Sequence, residues 1–460
     1  MALLLAEPSS VCYNTGRMSH QPPACTKPHR YTVAVVLCFL LAAWGLGRSA
    51  VLIATEGVGV LGVNNHVPWG WDIVLFVFWI GLGHAGTLIS AILLLTGKRW
   101  RRGIARHAEL MTLCAVCTAA IFPLIHVGRA YMIWQMAPVR VPSGVWPEMA
   151  SALLWDAAAI SSYFLLSVLF WLMGMQGEKA PAHRTLWAHS CLLMAGILTP
   201  LVITVHSVVG SDFALTLRWQ SVIIPPYFVC GALLSGMAAV QLIALWQRSR
   251  IGLIAKLASI TATLSGAMGL FYLYELITEP RHWGASYALM LLLNVAIPLS
   301  LLSIRKLRYN RLVVALISIG ILIGMWQERI QIIIERSLQL TGGSYSPSPV
   351  DVAMLLGSFG FFLALFLLLA PHMPAEQADP RAHLNLTSPT SPRRAALIGG
   401  SLTLILGVLW ASLTQTADTA GASGSSPQGF LYYIPALFVL LLLGAGLGVY
   451  INYIRVTRQA

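Results

Sequence analysis

Residues 67–107, "VPWGWDIVLFVFWIGLGHAGTLISAILLLTGKRWRRGIARH", decide how the chain is to be read. Between 72 and 96 the run is apolar, with His84 as the lone ionisable side chain beyond the aspartate at its start. About 20 predominantly apolar residues are enough to cross some 30 Å of hydrocarbon, so the run reads as a spanning helix. The segment that follows holds Lys98, Arg99, Arg101, Arg102 and Arg106. A dense basic loop against a span marks the cytoplasmic side.

The same alternation runs through the chain. Of its 460 residues 57% are hydrophobic and 10% are charged, and the mean hydropathy is +0.75. A soluble domain carries about 25% charged residues, so the class is a polytopic membrane protein. Twelve spans are expected, at 31–55, 72–96, 108–133, 149–174, 187–209, 222–246, 252–278, 285–304, 311–335, 351–371, 395–416 and 430–454. The N-terminal tail, the even-numbered connections and the C-terminal tail hold 22 of the 29 Lys and Arg residues. That bias places both termini in the cytoplasm. It also accounts for the net charge of +13 without any nucleic-acid partner.

The expected organisation is a cytoplasmic tail at 1–30, a membrane core at 31–371, a polar linker at 372–394 and two further spans within 395–460. The tail is polar and proline-containing, unlike a signal peptide. The seven cysteines (12, 25, 38, 114, 117, 191 and 230) form no paired framework and no CxxCH motif. "CAVC" at 114–117 lies in an apolar helix and reads as helix packing.

Charged groups within spans are rare and by default mark a site in the bundle interior. With orientation set, depth follows from about 1.5 Å of rise per residue. His126 in "AAIFPLIHVGRAYMIW" and Asp156 in "LLWDAAAISSYF" fall in the outer third. His206, Glu275, Glu328 and Arg329 fall at similar depths, and His84 sits near the middle. The cytoplasmic half holds little beyond Glu109, His189 and Lys256. A His and an Asp in a low-dielectric pocket can accept and pass protons. No phosphate loop, metal-ligand spacing or nucleophile elbow accompanies them, and the histidines do not supply the facing pairs that two transmembrane haems require. A proton-exchanging site for a hydrophobic carrier such as a quinol is the economical reading.

The segments "VPWGWDIVLFVFWIGLGHAGTLISAILLL", "IFPLIHVGRAYMIW", "LLWDAAAISSYFLLSVLFW", "HSVVGSDFA", "PPYFVCGALLSGMA", "NVAIPLSLLSIRKLR" and "GMWQERIQIII" resemble, in order, the NrfD/polysulfide-reductase family of membrane subunits. The nearest resemblance is to the larger NrfD-like, quinol-oxidising subunit of bacterial alternative complex III. It covers about residues 60–372. It implies an all-α core of ten helices, two four-helix bundles with flanking helices, in the bacterial cytoplasmic (inner) membrane. It further implies a subunit without haem or metal that oxidises menaquinol or ubiquinol near the outer face. Expected partners are an extrinsic iron–sulphur subunit, a second NrfD-like membrane subunit, multihaem cytochrome c subunits and membrane lipid.

By match to the family motif, His126 and Asp156 are the quinol-binding, proton-accepting pair. Arg129, Trp155, His206, Asp212 and Arg329 are further candidates for quinol binding, and His84, Glu275 and Glu328 for a proton path. One departure stands at Gln220, where the family leads one to expect histidine; an amide cannot carry a proton. The two last spans have no counterpart in the resemblance. Two other readings compete: an ion-coupled secondary transporter, and a membrane anchor for an extrinsic oxidoreductase with no quinol site of its own. Transporter sites usually lie at the midplane, whereas the polar residues here concentrate toward the outer side.

Overall fold

The computed structural model describes residues 29–129, 152–179, 184–216, 223–278 and 284–373. The tail at 1–28, Gln220 and everything after 373 lie outside the described residues, and so do the linker and the two last expected spans. Among the described residues every regular element is helical, and ten helices are long and apolar enough to cross a membrane. We number them α1 (His29–Glu56), α2 (Trp71–Leu95), α3 (Ala105–His126), α4 (Ala152–Lys179), α5 (Arg184–Thr216), α6 (Ile224–Trp246), α7 (Ile251–Thr278), α8 (Ala285–Ser303), α9 (Arg311–Thr341) and α10 (Pro349–His372). They coincide with the first ten expected spans. An α-helix satisfies every internal backbone donor and acceptor within itself, which hydrocarbon cannot do for it.

Two helices run further than their apolar runs suggest. At 33 residues, α5 exceeds what a bilayer of about 30 Å requires. α9 carries "WQERIQ" without a break, through a π-helical turn at Gln331–Glu335.

The chain divides into two compact units, and α2, α3 and α6 each contribute to both. The first comprises α1, α2 up to Gly83, α3 from Leu110, α6 from Cys230, and α7 to α10. Its α1 and α10 meet backbone to backbone. A Cβ on Gly45 would lie 2.2 Å from the Ala353 carbonyl oxygen, and one on Gly357 would lie 2.7 Å from the Leu46 nitrogen. Small residues let helices approach this closely where lipid supplies no hydrophobic driving force. Tyr31 at the start of α1 adds a hydrogen bond to the Leu367 carbonyl of α10. Elsewhere in this unit Trp79 of α2 donates to Ser358 (3.1 Å) and packs its ring on Phe359 and Phe362. A buried trio from three helices, Gln241, Thr261 and Ser318, is joined by side-chain hydrogen bonds.

The second unit comprises α2 from His84, α3 up to Glu109, α4, α5 and α6 up to Val229, with α4 packed along α5. Its basic connection is less exposed than a cytoplasmic loop implies. Arg101 and Arg106 are buried, as is Glu109. Glu109 takes a 2.5 Å hydrogen bond from Ser90 and a 2.7 Å ion pair from Arg106. These contacts tie the end of α2 to the start of α3, which gives Glu109 a structural role.

Replacing Gly45 by valine forces α1 off α10. Overpacking of this kind costs about 1–3 kcal/mol, and the expected outcome is a lower thermal-unfolding midpoint of the detergent-solubilised protein.

Candidate functional site

In the first unit, α3 closes in two steps. The α-helix is interrupted after Ala119 and resumes at Ile121–His126. Pro123 has no N–H to give to the Ala119 carbonyl, which explains the break. Gly128, at φ 69°, then ends the helix, and its N–H donates to the Ile125 carbonyl (2.9 Å). His126 is therefore the last residue of the helix. Asp72 is the second residue of α2.

These two ends meet. His126 Nδ1 lies 2.7 Å from Asp72 Oδ2, while Asp72 Oδ1 accepts the Gly70 N–H at 3.2 Å. The Asp72 side chain is 0% exposed and that of His126 is 25% exposed. An ionised carboxylate only accepts, so Nδ1 carries the hydrogen and Nε2 is left as the acceptor. Both residues line a cavity of about 310 Å³, together with Val58, Gly59, Leu61, Val63, Asn64, Asn65 and Pro68. Asn64 holds the wall of this cavity in shape. Its Oδ1 accepts the His66 and Val67 N–H groups (2.9 and 3.0 Å), and its Nδ2 donates to the Ser344 carbonyl (3.0 Å). The hollow has a mixed apolar and polar lining, with one hydrogen-bonded acid–base pair in its wall.

The other residues marked in the sequence sort into local partnerships. In the second unit Asp156 is buried on α4, and the side chains of Trp155 and Asp212 lie outside the described residues. His84 and His206 face each other, with their Nδ1 atoms 2.6 Å apart and the rings perpendicular. Tyr163 packs edge-on against His84. One Nδ1 must donate and the other accept, so the two imidazoles hold one hydrogen between them. His206 thus stands level with His84 of α2, on a helix that continues to Thr216.

In the first unit, Glu328 and Arg329 are buried in α9, with Arg329 Nη1 3.5 Å from Glu328 Oε1. Tyr272 donates to Glu328 Oε2 (3.1 Å) and accepts from Asn294 Nδ2 (3.0 Å). Asn294 sits inside a π-helical turn of α8, Leu292–Ala296, a local form often found at functional positions. Glu275 is buried on α7, and Arg129 is exposed just past the end of α3.

Sequence reasoning missed Asp72, Tyr272 and Asn294. Asp72 looked like the polar edge of a span, and the signal that could have raised it is an acidic group in the first turn of a long apolar helix. Tyr272 and Asn294 stand in apolar runs that carry no sign of a partner. Tyr272→Phe removes a hydrogen bond to a buried charged group, worth about 1.5–3 kcal/mol. A fall in the thermal-unfolding midpoint is expected, with the fold retained by circular dichroism.

Comparison with known proteins accords with this architecture. Residues 59–341 match the family model described as polysulphide reductase, NrfD. A putative membrane subunit of a dimethyl sulfoxide reductase from Halobacterium salinarum is 23% identical, over 76% of this chain and 92% of its own length. An Hdr-like menaquinol oxidoreductase integral membrane subunit of Archaeoglobus fulgidus is 24% identical, over 45% of this chain and 49% of its own. A selenate reductase subunit of Mesobacillus selenatarsenatis is 23% identical, over 40% and 49% respectively. With ten apolar helices and a family match over most of the described core, the chain is a multi-pass integral membrane protein of the NrfD polysulphide reductase family.

Proposed function

We propose that this chain is the quinol-oxidising membrane subunit of a multi-subunit oxidoreductase, with its quinol site at the cavity beside His126. The observation that carries the reading is the hydrogen bond from Nδ1 of a part-exposed, cavity-lining histidine to a fully buried carboxylate. It leaves Nε2 as a base for a hydroxyl proton, and Asp72 stabilises the imidazolium that forms. Oxidation of a quinol releases two protons and two electrons. The electrons go to an extrinsic iron–sulphur partner, and the protons enter through side chains of this subunit. The menaquinol named for the Archaeoglobus relative supports a menaquinol as substrate. The names of the relatives, as parts of reductases, support an extrinsic catalytic partner.

The finer proposal is a subunit like that of alternative complex III, in a bacterial cytoplasmic membrane with both termini inside. There the electrons continue to cytochrome c subunits beside a second NrfD-like subunit. Asp156, Arg129, Trp155, Asp212, His206 and Arg329 remain quinol-site candidates through the family resemblance. Proton translocation is the second element of the proposal. The shared hydrogen of His84 and His206 supports it, as does the buried Glu328 with its tyrosine donor.

His126→Ala and Asp72→Asn are each expected to lower quinol oxidation by the intact complex by about 10²–10⁴-fold, the usual worth of a positioned acid–base group. Quinol turnover by fully assembled complexes is the measurement. Normal turnover in both variants would overturn the reading in favour of a plain membrane anchor. Asp156→Asn, assayed in the same way, tests the family-derived candidate independently. If protons are translocated, His84→Leu lowers the proton-to-electron ratio in sealed vesicles while quinol oxidation continues.

A further inference from the structure

The first turn of α2 carries Asp72, and the placement of that turn is the condition for the pair with His126. The first N–H groups of a helix have no acceptor within the helix and need partners from elsewhere. Trp71 is the first residue of α2, and the Val74 N–H already donates back to the Gly70 carbonyl (3.2 Å). Asp72 Oδ1 takes the Gly70 N–H (3.2 Å). The Trp71 N–H goes outside the helix, to the Tyr345 hydroxyl in the connection between α9 and α10 (3.2 Å). Tyr345 stands 274 residues away, beyond the end of the family match at residue 341.

A phenol has one hydrogen to give, and Asp351 decides where it goes. The Tyr345 hydroxyl donates to Asp351 Oδ2 (3.2 Å), which also accepts the Ser348 N–H (2.8 Å). With its hydrogen committed there, the hydroxyl has only lone pairs to offer Trp71. Asp351 is 0% exposed and is fixed at the start of α10 by a capping box with Ser348. That cap is the bland explanation for an aspartate at this position. It requires Ser348 and Asp351 alone, and does not account for a tyrosine that joins them to the start of α2.

The surroundings admit this side chain by leaving out others. A Cβ on Gly62, which has φ 69°, would lie 2.8 Å from the Ser346 carbonyl oxygen and 3.7 Å from Tyr345 Cε2. One on Gly70 would lie 3.1 Å from the Tyr345 hydroxyl, 3.3 Å from Asp72 Oδ1 and 2.9 Å from Val63 Cγ1. The space at Gly70 is thereby packed shut, with the Tyr345 hydroxyl and the Asp72 carboxylate both against it. The Trp71 ring meets Trp326 of α9 edge-on, with centroids 4.8 Å apart. The first turn of α2 is held through its N–H by Tyr345 and through its ring by Trp326.

We infer that Tyr345 is a positioning residue of the quinol site: its hydroxyl, oriented by Asp351, holds the first turn of α2 so that Asp72 meets His126. The inference rests on the quinol reading of the His126 cavity. Tyr345 moves no proton and is not among the residues that line the cavity; it acts on Asp72 through the backbone of Trp71. The 2.7 Å contact of Asp72 with His126 Nδ1 fixes the tautomer that leaves Nε2 as a base. A displaced Asp72 weakens that choice, so the rate falls while the binding surface stays whole.

The test is oxidation of 2,3-dimethyl-1,4-naphthoquinol by the intact complex, with ferricyanide as acceptor. Tyr345→Phe keeps the ring and removes the hydroxyl. It is expected to lower kcat about 10-fold, within what a misplaced reacting group costs, with KM within about twofold. Gly70→Ala keeps both side chains and crowds them, and a similar fall in kcat is expected. In the Asp72→Asn background Tyr345→Phe should change kcat by less than about twofold, since no carboxylate remains to be placed; independent losses would multiply. Hydrogen exchange of the amides at 70–74 should quicken in Tyr345→Phe, a readout independent of turnover. Wild-type kcat in both single variants, a loss confined to KM, multiplying losses in the double variant, or unchanged exchange would each overturn the positioning role. An inactive His126→Ala would then leave the quinol site standing. Wild-type turnover in His126→Ala would overturn both.

Discussion

Hydrocarbon offers no hydrogen-bond partner, and this constraint organises the whole molecule. It forces the backbone into helices, and it favours partners inside the protein for buried charged side chains. His126 finds Asp72, His84 finds His206, Glu328 finds Tyr272 and Arg329, and Glu109 finds Ser90 and Arg106. The partnerships differ in one respect that bears on function. Three are sealed, whereas the His126 ring is part-exposed and lines a cavity. An acid–base pair can exchange protons with a ligand only where a ligand can reach it, so accessibility singles this pair out.

The same constraint shapes the surroundings of that pair. Pro123 and Gly128 bring α3 to an end at His126, and the first turn of α2 supplies Asp72. The connection before α2 is then fixed by Asn64 to the segment before α10. Tyr345, from that segment, reaches the backbone beside Asp72. A loop at the mouth of a cavity is thus held by side-chain and backbone hydrogen bonds as well as by the burial of Leu61 and Val67. Such bonds preserve the positions of donors and acceptors, which proton exchange needs.

Much of the fold was legible in the sequence. Apolar run length located the first ten helices, because a helix must match the membrane thickness whatever it packs against. Depth counted along one helix at a time gave His206 and His84 different levels, and it carried no sign that the two rings meet.

Residue types and depth were enough to mark His126, His84, Glu328 and Arg329 as unusual, since a charged or titratable group in hydrocarbon is costly wherever the chain goes. Partner choice was a different matter. Asp72 stands 54 residues from His126, Tyr272 stands 56 from Glu328, and His84 stands 122 from His206. No local pattern encodes such separations. The sequence by itself determined that this is a bundle of membrane-spanning helices with titratable groups inside it. Only the tertiary structure decided which groups pair and which pair opens onto a cavity, because a hydrogen bond is set by distances of about 3 Å that only packed helices define.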